Sequence, residues 1–195
     1  ATHDRGRPAG AHSYRWRDAG AVVACREGVS VTTEQRANGV LFVCLGNICR
    51  SPTAEGVFRQ LLAREAPTLA TSWSVDSAGT ADYHSGAPPD PRTVAAARAR
   101  GYELAHLRAR QIEPADFSRF ALVLAMDRSN LSNLRALAPD HLQDRIGLFL
   151  DHAPELSGRE VPDPYYGAAA GFEQVIDLVE IASRWLIRSL QQREM

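Results

Sequence analysis

A cysteine and an arginine separated by five residues form the part of the sequence best suited to chemistry. The segment runs Cys44-Leu45-Gly46-Asn47-Ile48-Cys49-Arg50-Ser51. When such a loop curls at a helix N-terminus, its backbone N–H groups converge on one point, where the helix dipole adds positive potential. A tetrahedral oxyanion such as phosphate fits there. The same field favours the thiolate of Cys44, which makes this residue a candidate nucleophile.

The residue types around Cys44 suit the binding of a phosphoryl group. The planar fork of Arg50 can hold two oxygens in the ground state and in the transition state, which lysine does not match. Gly46 and Asn47 suit left-handed backbone angles, and the side chain of Asn47 is expected to hydrogen-bond within the loop and hold its shape. Ser51 is placed to donate to the cysteine sulfur. The alternative is a buried core cysteine beside a solvated arginine. The predicted phosphate-binding residues are Leu45, Gly46, Asn47, Ile48, Cys49, Arg50 and Ser51.

Apolar runs of strand length alternate with amphipathic segments along the chain. Residues 39–44 (GVLFVC) predict a buried parallel strand, and Ser51 and Pro52 predict the N-cap and first-turn proline of a helix. A second strand is predicted to end near residue 77, and two more are predicted over residues 120–126 and 146–150. Further helices are predicted over residues 91–100, 127–137 and 171–190.

This alternation predicts the α/β class, with a doubly wound, four-stranded parallel sheet flanked by helices. Ligands of such sheets bind at the carboxyl ends of the strands, and the loop after the first strand is the expected place. Residues 44–51 form that loop.

Composition and net charge indicate how many domains the chain has and which partners are not expected. The chain has 195 residues, of which 45% are hydrophobic and 23% charged, which predicts one globular domain over residues 38–195. Residues 1–37 lack periodicity and predict a disordered extension. A net charge of -1 gives no reason to expect a nucleic acid partner, and no apolar run approaches the ~18 residues that membrane insertion requires.

Cysteine usage bears on the compartment. The three cysteines are too few for a secreted disulfide scaffold, which favours a cytoplasmic protein. Residues 19–25 resemble a short signal-peptide core, but the run is brief and Asp18 directly precedes it. Export without a signal peptide stays open.

The segment VLFVCLGNICRSPTAEGVF (residues 40–58) resembles the N-terminal signature of the low-molecular-weight protein tyrosine phosphatase family. The segment Asp163-Pro164-Tyr165-Tyr166-Gly167 supports this resemblance, which spans about residues 39–190. It implies a flavodoxin-like fold, no metal or other cofactor, and hydrolysis of phosphotyrosine through a phosphocysteine intermediate.

The residue types in the segment 163–167 also suit the hydrolysis of an aryl phosphate. A phenolate, whose conjugate acid has a pKa of about 10, leaves more easily when an acid protonates it, and Asp163 is the candidate acid and later base. Tyr165 and Tyr166 are expected to wall the substrate pocket. On the resemblance, Tyr83 stands at a pocket-rim position that is usually aromatic; the alternatives are an exposed loop tyrosine at Tyr83 and an ordinary surface turn at residues 163–167.

Two features near the motifs leave questions open. Many family members have a histidine shortly before the Arg-Gln pair, where this chain has Leu107, with His106 one place earlier; no histidine is therefore assigned a catalytic role. Cys49 has two possible roles, a reversible disulfide with Cys44 that shields the nucleophile, or a packed thiol.

Three competing functions are less consistent with the sequence. An arsenate reductase relays a disulfide through further cysteines, and none follows Cys49. A protein arginine phosphatase of the family carries threonine where Ile48 stands and lacks the paired tyrosines. A phosphotyrosine-binding module without turnover has no need of Cys44, Arg50 and Asp163 together. The expected partner is a phosphotyrosine protein, with a cognate tyrosine kinase as one candidate, and the expected state is a monomer or weak dimer.

Overall fold

The core of the protein is a four-stranded parallel sheet with the strand order β2-β1-β3-β4. The structure is a computed structural model that describes residues 38–194. The strands are β1 (Gly39–Cys44), β2 (Ser74–Gly79), β3 (Leu122–Ala125) and β4 (Ile146–Leu148). All three pairings are parallel, so the predicted α/β sheet is confirmed. The extension predicted for residues 1–37 lies outside the described residues.

Helices connect the strands and cover the sheet. They are α1 (Arg50–Glu65), α2 (Pro67–Ser72), α3 (Pro91–Ala99), α4 (Asp116–Arg119), α5 (Arg128–Leu137) and α6 (Ala169–Glu194), with 3₁₀ helices at Asp140–Arg145, Phe149–His152 and Pro154–Leu156. None of the helices in the described part of the chain is both long enough and apolar enough to span a membrane.

The predicted fourth strand is too long at its end. Residues 146–150 were expected to be extended, but β4 stops at Leu148 and a 3₁₀ turn begins at Phe149. Phe149 and Leu150 are both buried in the core. A short apolar run indicates burial but does not distinguish a strand from a buried helical turn, which explains the difference.

Strand β1 is buried on both faces, which explains its continuous apolar sequence. On one face, the ring of Phe42 makes edge contacts with Phe58 at 5.5 Å and Phe149 at 4.9 Å between ring centroids, in the cluster that includes α1 and α6. On the other face, Leu41 and Val43 pack with residues of β3, α4 and α5. The strand that precedes the cysteine loop is therefore held from both sides.

The carboxyl ends of the strands meet at one edge of the sheet. Cys44, the last residue of β1, pairs with Gly79, the last residue of β2, and Asp127 follows two residues after β3. A Cβ atom at Gly79 would lie 2.8 Å from the carbonyl oxygen of Leu45. Glycine at this position therefore lets the loop after β1 pass close to the end of β2.

Two leucine-to-alanine substitutions test this description of the core. Leu61 of α1 is fully buried, whereas Leu137 of α5 is 56% exposed. We expect Leu61→Ala to lower the free energy of unfolding by about 2–5 kcal/mol because it leaves a cavity. Leu137→Ala, the matched control, should change it by no more than about 0.5 kcal/mol. Urea unfolding of both variants measures the difference, and equal effects would contradict the burial described here.

Candidate active site

A pocket of about 370 Å³ opens at the carboxyl end of β1. It brings together the loop after β1, the segment after β2 and the segment before α6, which are far apart in sequence. Its lining residues are Cys44, Leu45, Gly46, Ile48, Cys49, Arg50, Tyr83, His84, Asp163, Tyr165 and Tyr166. All of these except His84 were predicted from the sequence to belong to the site.

Cys44 lines this pocket and is only 3% exposed. Its Sγ atom accepts a hydrogen bond from the backbone N–H of Asn47 at 3.3 Å and lies 3.0 Å from Oγ of Ser51. Both contacts stabilise negative charge on sulfur when the hydroxyl donates. The predicted contact between Ser51 and the sulfur is therefore confirmed.

The prediction that Ser51 caps α1 is wrong. The helix begins at Arg50, and Cys49 occupies the N-cap position without a side-chain hydrogen bond. Ser51 lies one residue inside the helix, where its hydroxyl faces the cysteine sulfur instead. The N-cap residue of α1 therefore gives the first-turn N–H groups no side-chain hydrogen bond.

The backbone of the cysteine loop (residues 44–50) is turned so that carbonyls point outward. Asn47 has a φ of 54°, which confirms the predicted left-handed angle. Gly46 does not, and that prediction is wrong; a Cβ there would lie 2.9 Å from Cδ2 of His84, so close packing explains this glycine. Three loop carbonyls accept hydrogen bonds from outside the loop: those of Cys44 from Thr80 (2.9 Å), Leu45 from Ala81 (3.0 Å) and Ile48 from Asp90 (2.9 Å).

The side chain of Asn47 ties the cysteine loop to its surroundings. Its Nδ2 group donates to Ser51 at 2.9 Å and to Ser77 at 2.8 Å, and its Oδ1 atom accepts from the backbone N–H of Arg110 at 2.9 Å. Ser77 in turn donates to the buried carboxyl of Glu55 at 2.7 Å. Burial raises the pKa of Glu55. The hydrogen bond to Ser51 confirms that Asn47 braces the loop, whereas the contacts through Ser77 and Glu55 were not predicted from the sequence.

Arg50 is buried, which excludes the alternative of a solvated helix residue. Its guanidinium donates to Asp127 at 2.5 Å, to Asp163 at 3.0 Å and to the carbonyl of Val161 at 3.4 Å. Burial opposes its charge, but the nearby Cys44, Asp127 and Asp163 outweigh burial and raise the pKa of Arg50. The guanidinium is thus a fixed cation beside the cysteine sulfur.

Asp127 is a functional candidate that the sequence analysis did not assign. One carboxylate oxygen accepts from the N–H of Asn130 at 2.7 Å and so caps α5, while the other accepts from Arg50. Its place directly after the third predicted strand was the available signal, because the carboxyl ends of parallel strands share one edge.

Asp163 also lines the pocket, and its side chain is 46% exposed. Its Oδ1 atom accepts from the N–H of Tyr165 at 3.1 Å, which leaves Oδ2 toward Arg50. The rings of Tyr165 and Tyr166 meet edge to face at 4.9 Å. Tyr165 is partly covered, whereas Tyr166 and Tyr83 are largely exposed at the pocket mouth.

Cys44 and Cys49 are both free thiols in the structure, and both are buried. Burial raises the pKa of Cys49 to about 11, with nearby acidic groups adding to the effect. Cys49 is therefore a neutral thiol at physiological pH. Within residues 38–194, no cluster of three or more His, Cys, Asp or Glu side chains is arranged to hold a metal ion.

Comparison with known proteins points to the same family as the sequence motifs. A sequence model described as low molecular weight phosphotyrosine protein phosphatase matches residues 39–195. The low molecular weight protein-tyrosine-phosphatase of Streptomyces coelicolor is 43% identical over 157 residues, which cover 79% of this chain and 94% of that protein. The human low molecular weight phosphotyrosine protein phosphatase is 42% identical over 144 residues, which cover 73% and 89%.

A solved structure supports the same relationship. The protein tyrosine phosphatase of Entamoeba histolytica aligns with a TM-score of 0.76 and 37% identity over 81% of this chain and 99% of that chain. The predicted resemblance is thus confirmed over the whole described domain. The chain is a phosphatase and belongs to the low molecular weight phosphotyrosine protein phosphatase family.

Proposed function

We propose that the enzyme hydrolyses phosphotyrosine in proteins through a phosphocysteine intermediate, with Cys44 as nucleophile, Arg50 as phosphate clamp and Asp163 as general acid and base. The observation that carries this proposal is the meeting of all three groups in one pocket, where Arg50 contacts Asp163 at 3.0 Å. An aryl phosphate oxygen bound by Arg50 therefore lies within reach of both the sulfur and the carboxyl group.

In the first step, the sulfur of Cys44 attacks phosphorus and forms the S–P bond. The bond between phosphorus and the phenolic oxygen breaks, and its electron pair passes to that oxygen, which Asp163 protonates. Arg50 and the N–H groups of the cysteine loop hold the three equatorial oxygens as their charge redistributes. The outward turn of the loop carbonyls supports this role, because it leaves the N–H side facing the pocket.

In the second step, Asp163 takes a proton from a water molecule that attacks phosphorus. The S–P bond breaks, its electron pair returns to the sulfur of Cys44, and inorganic phosphate leaves. The hydrogen bonds from Asn47 and Ser51 to this sulfur stabilise the departing thiolate. They favour both its attack in the first step and its departure in the second.

Asp127 acts by positioning. It is hydrogen-bonded at once to the start of α5 and to Arg50, so it fixes the plane of the guanidinium. Arg50 must release or share Asp163 when phosphate binds, because its fork then serves the phosphoryl oxygens. Asp127 keeps the guanidinium neutralised and oriented during that exchange.

The pocket supports an aromatic substrate. Cys44 is almost completely buried, whereas Tyr166 at the mouth is 97% exposed, so a substrate has to extend from the rim down to the sulfur. A phosphotyrosine side chain reaches further from the backbone than a phosphoserine side chain, and its ring can stack on Tyr165. Phosphoserine is shorter and lacks the ring. The family description also names phosphotyrosine.

The domain bounds, the compartment, the substrates and the oligomeric state are also part of this proposal. We assign residues 38–195 to the catalytic domain, which the family match from residue 39 supports, and residues 1–37 to an extension. The free thiols of Cys44 and Cys49 suit a reducing compartment such as the cytoplasm. Phosphotyrosine proteins, among them a cognate tyrosine kinase, are the proposed substrates of a monomer or weak dimer.

The first test compares phosphate release from matched phosphotyrosine, phosphoarginine and phosphoserine peptides. We expect selective release from phosphotyrosine that resists a metal chelator. Cys44→Ser should lower kcat by at least about 10⁴-fold, because serine is not ionised at neutral pH. Release that persists in Cys44→Ser, or a preference for phosphoserine, would contradict the proposal.

A second test isolates the acid. Asp163→Asn should lower kcat/KM for phenyl phosphate by about 10²–10³-fold, because the phenolate then leaves without a proton. The loss should be much smaller for para-nitrophenyl phosphate, whose phenol is more acidic and needs less assistance. Steady-state kinetics on both esters measures the difference. Equal losses on the two substrates would show that Asp163 does not protonate the leaving group.

A further inference from the structure

An arginine outside the proposed mechanism lies beside the pocket. Arg92 is the second residue of α3, and its side chain is 48% exposed. Its guanidinium binds both carboxylate oxygens of Asp90, with Nε donating to Oδ1 at 3.0 Å and Nη2 to Oδ2 at 2.8 Å. Asp90 also caps α3 by accepting from the N–H of Arg92. This two-pronged contact fixes the plane of the guanidinium.

The same guanidinium lies against two aromatic rings. Its Cζ atom is 5.4 Å from the centroid of Tyr165 and 4.9 Å from that of Phe172. Phe172 is buried in the first turn of α6, so it is a fixed support. Tyr165 lines the pocket, and its N–H group donates to Asp163. Arg92 thus stacks between the core and the acid loop (residues 161–167).

Asp90 connects this arrangement to the phosphate-binding side. Its backbone N–H donates to the carbonyl of Ile48 in the cysteine loop at 2.9 Å. A short path of direct contacts therefore runs from Ile48 through Asp90 and Arg92 to Tyr165 and Asp163. The hydrogen bond from Arg92 is also the main reason why the pKa of Asp90 is lowered, so the pair stays charged at neutral pH.

The acid loop needs such support because its tip is open to solvent. Asp163 is about half exposed and Tyr166 almost completely so. Val161 anchors the start of the loop through its N–H bond to Met126 at 2.8 Å. Beyond that anchor, two contacts hold the loop: Asp163 accepts from Arg50 at 3.0 Å, and the ring of Tyr165 lies against Arg92.

We propose that Arg92 is a positioning residue: held by Asp90, it fixes Tyr165 and thereby sets the position of Asp163 relative to the cysteine loop. This inference rests on the proposed function, because it requires Asp163 to be the general acid. Lysine cannot replace Arg92 fully, since it lacks the planar fork that binds Asp90 and stacks on the rings.

The test uses the full chain with Arg92→Ala, Arg92→Lys and, as a matched control, Arg98→Ala on the same helix. Arg98 is 74% exposed and pairs only loosely with Glu103 at 3.6 Å. We expect Arg92→Ala to lower kcat/KM for phenyl phosphate about tenfold and for para-nitrophenyl phosphate no more than about twofold, because acid assistance matters most for the poorer leaving group. Arg92→Lys should restore part of the loss, and Arg98→Ala should have no effect.

Two further readouts separate positioning from a loss of fold or of substrate binding. The inhibition constant of inorganic phosphate should stay within about twofold in Arg92→Ala, because the cysteine loop is intact. In an Asp163→Asn background, Arg92→Ala should have no further effect on phenyl phosphate, since it acts through the missing acid. Asp90→Asn, which keeps a capping residue but removes the carboxylate, should reproduce the selective loss.

Equal losses on the two esters, weaker phosphate inhibition, or a persisting loss in the Asp163→Asn background would overturn the role of Arg92. If Asp163→Asn has its full effect and Arg92→Ala has none, only the role of Arg92 is wrong. If Asp163→Asn itself does not affect the poorer leaving group, the acid assignment is wrong and the role of Arg92 falls with it.

Discussion

A buried guanidinium has to be neutralised and hydrogen-bonded, and the architecture around Arg50 is organised by that requirement. Arg50 is 4% exposed, yet it reaches carboxylates from two distant segments, Asp127 after β3 and Asp163 in the acid loop. The parallel sheet gathers the carboxyl ends of its strands at one edge, and this places Asp127, which follows β3, beside the start of α1. Arg50 in turn supplies, within one pocket, the positive charge that stabilises both a phosphoryl group and a thiolate.

The second constraint is the shape of the cysteine loop. Asn47 takes a left-handed angle that most residues avoid, and its side chain is bound at both ends by Ser51, Ser77 and the backbone of Arg110. Such a buried, satisfied polar group favours a single loop conformation. The loop is therefore shaped before a substrate arrives, which is the condition for electrostatic stabilisation of a transition state without reorganisation.

The sequence predicted the parts of this site that are local. Cys44 and Arg50 lie in one short loop after a strongly apolar strand, so their spacing alone predicted that they would line the same pocket. Asp127 was missed because it lies 77 positions from Arg50, and their pairing depends on strand order. The capping role expected of Ser51 was wrong for a related reason: its hydroxyl serves the sulfur, a contact that only the folded loop creates. The packing of Gly46 on His84 likewise arises from tertiary structure.

The most direct test of the account is to trap the covalent intermediate. The wild-type enzyme would be mixed rapidly with excess phosphotyrosine peptide, quenched during turnover, and mapped by peptide mass spectrometry. We expect one phosphoryl group on the peptide that contains Cys44. A phosphoryl group on His84, which lines the same pocket, or turnover without any phosphorylated enzyme, would contradict the assignment of Cys44 as the nucleophile.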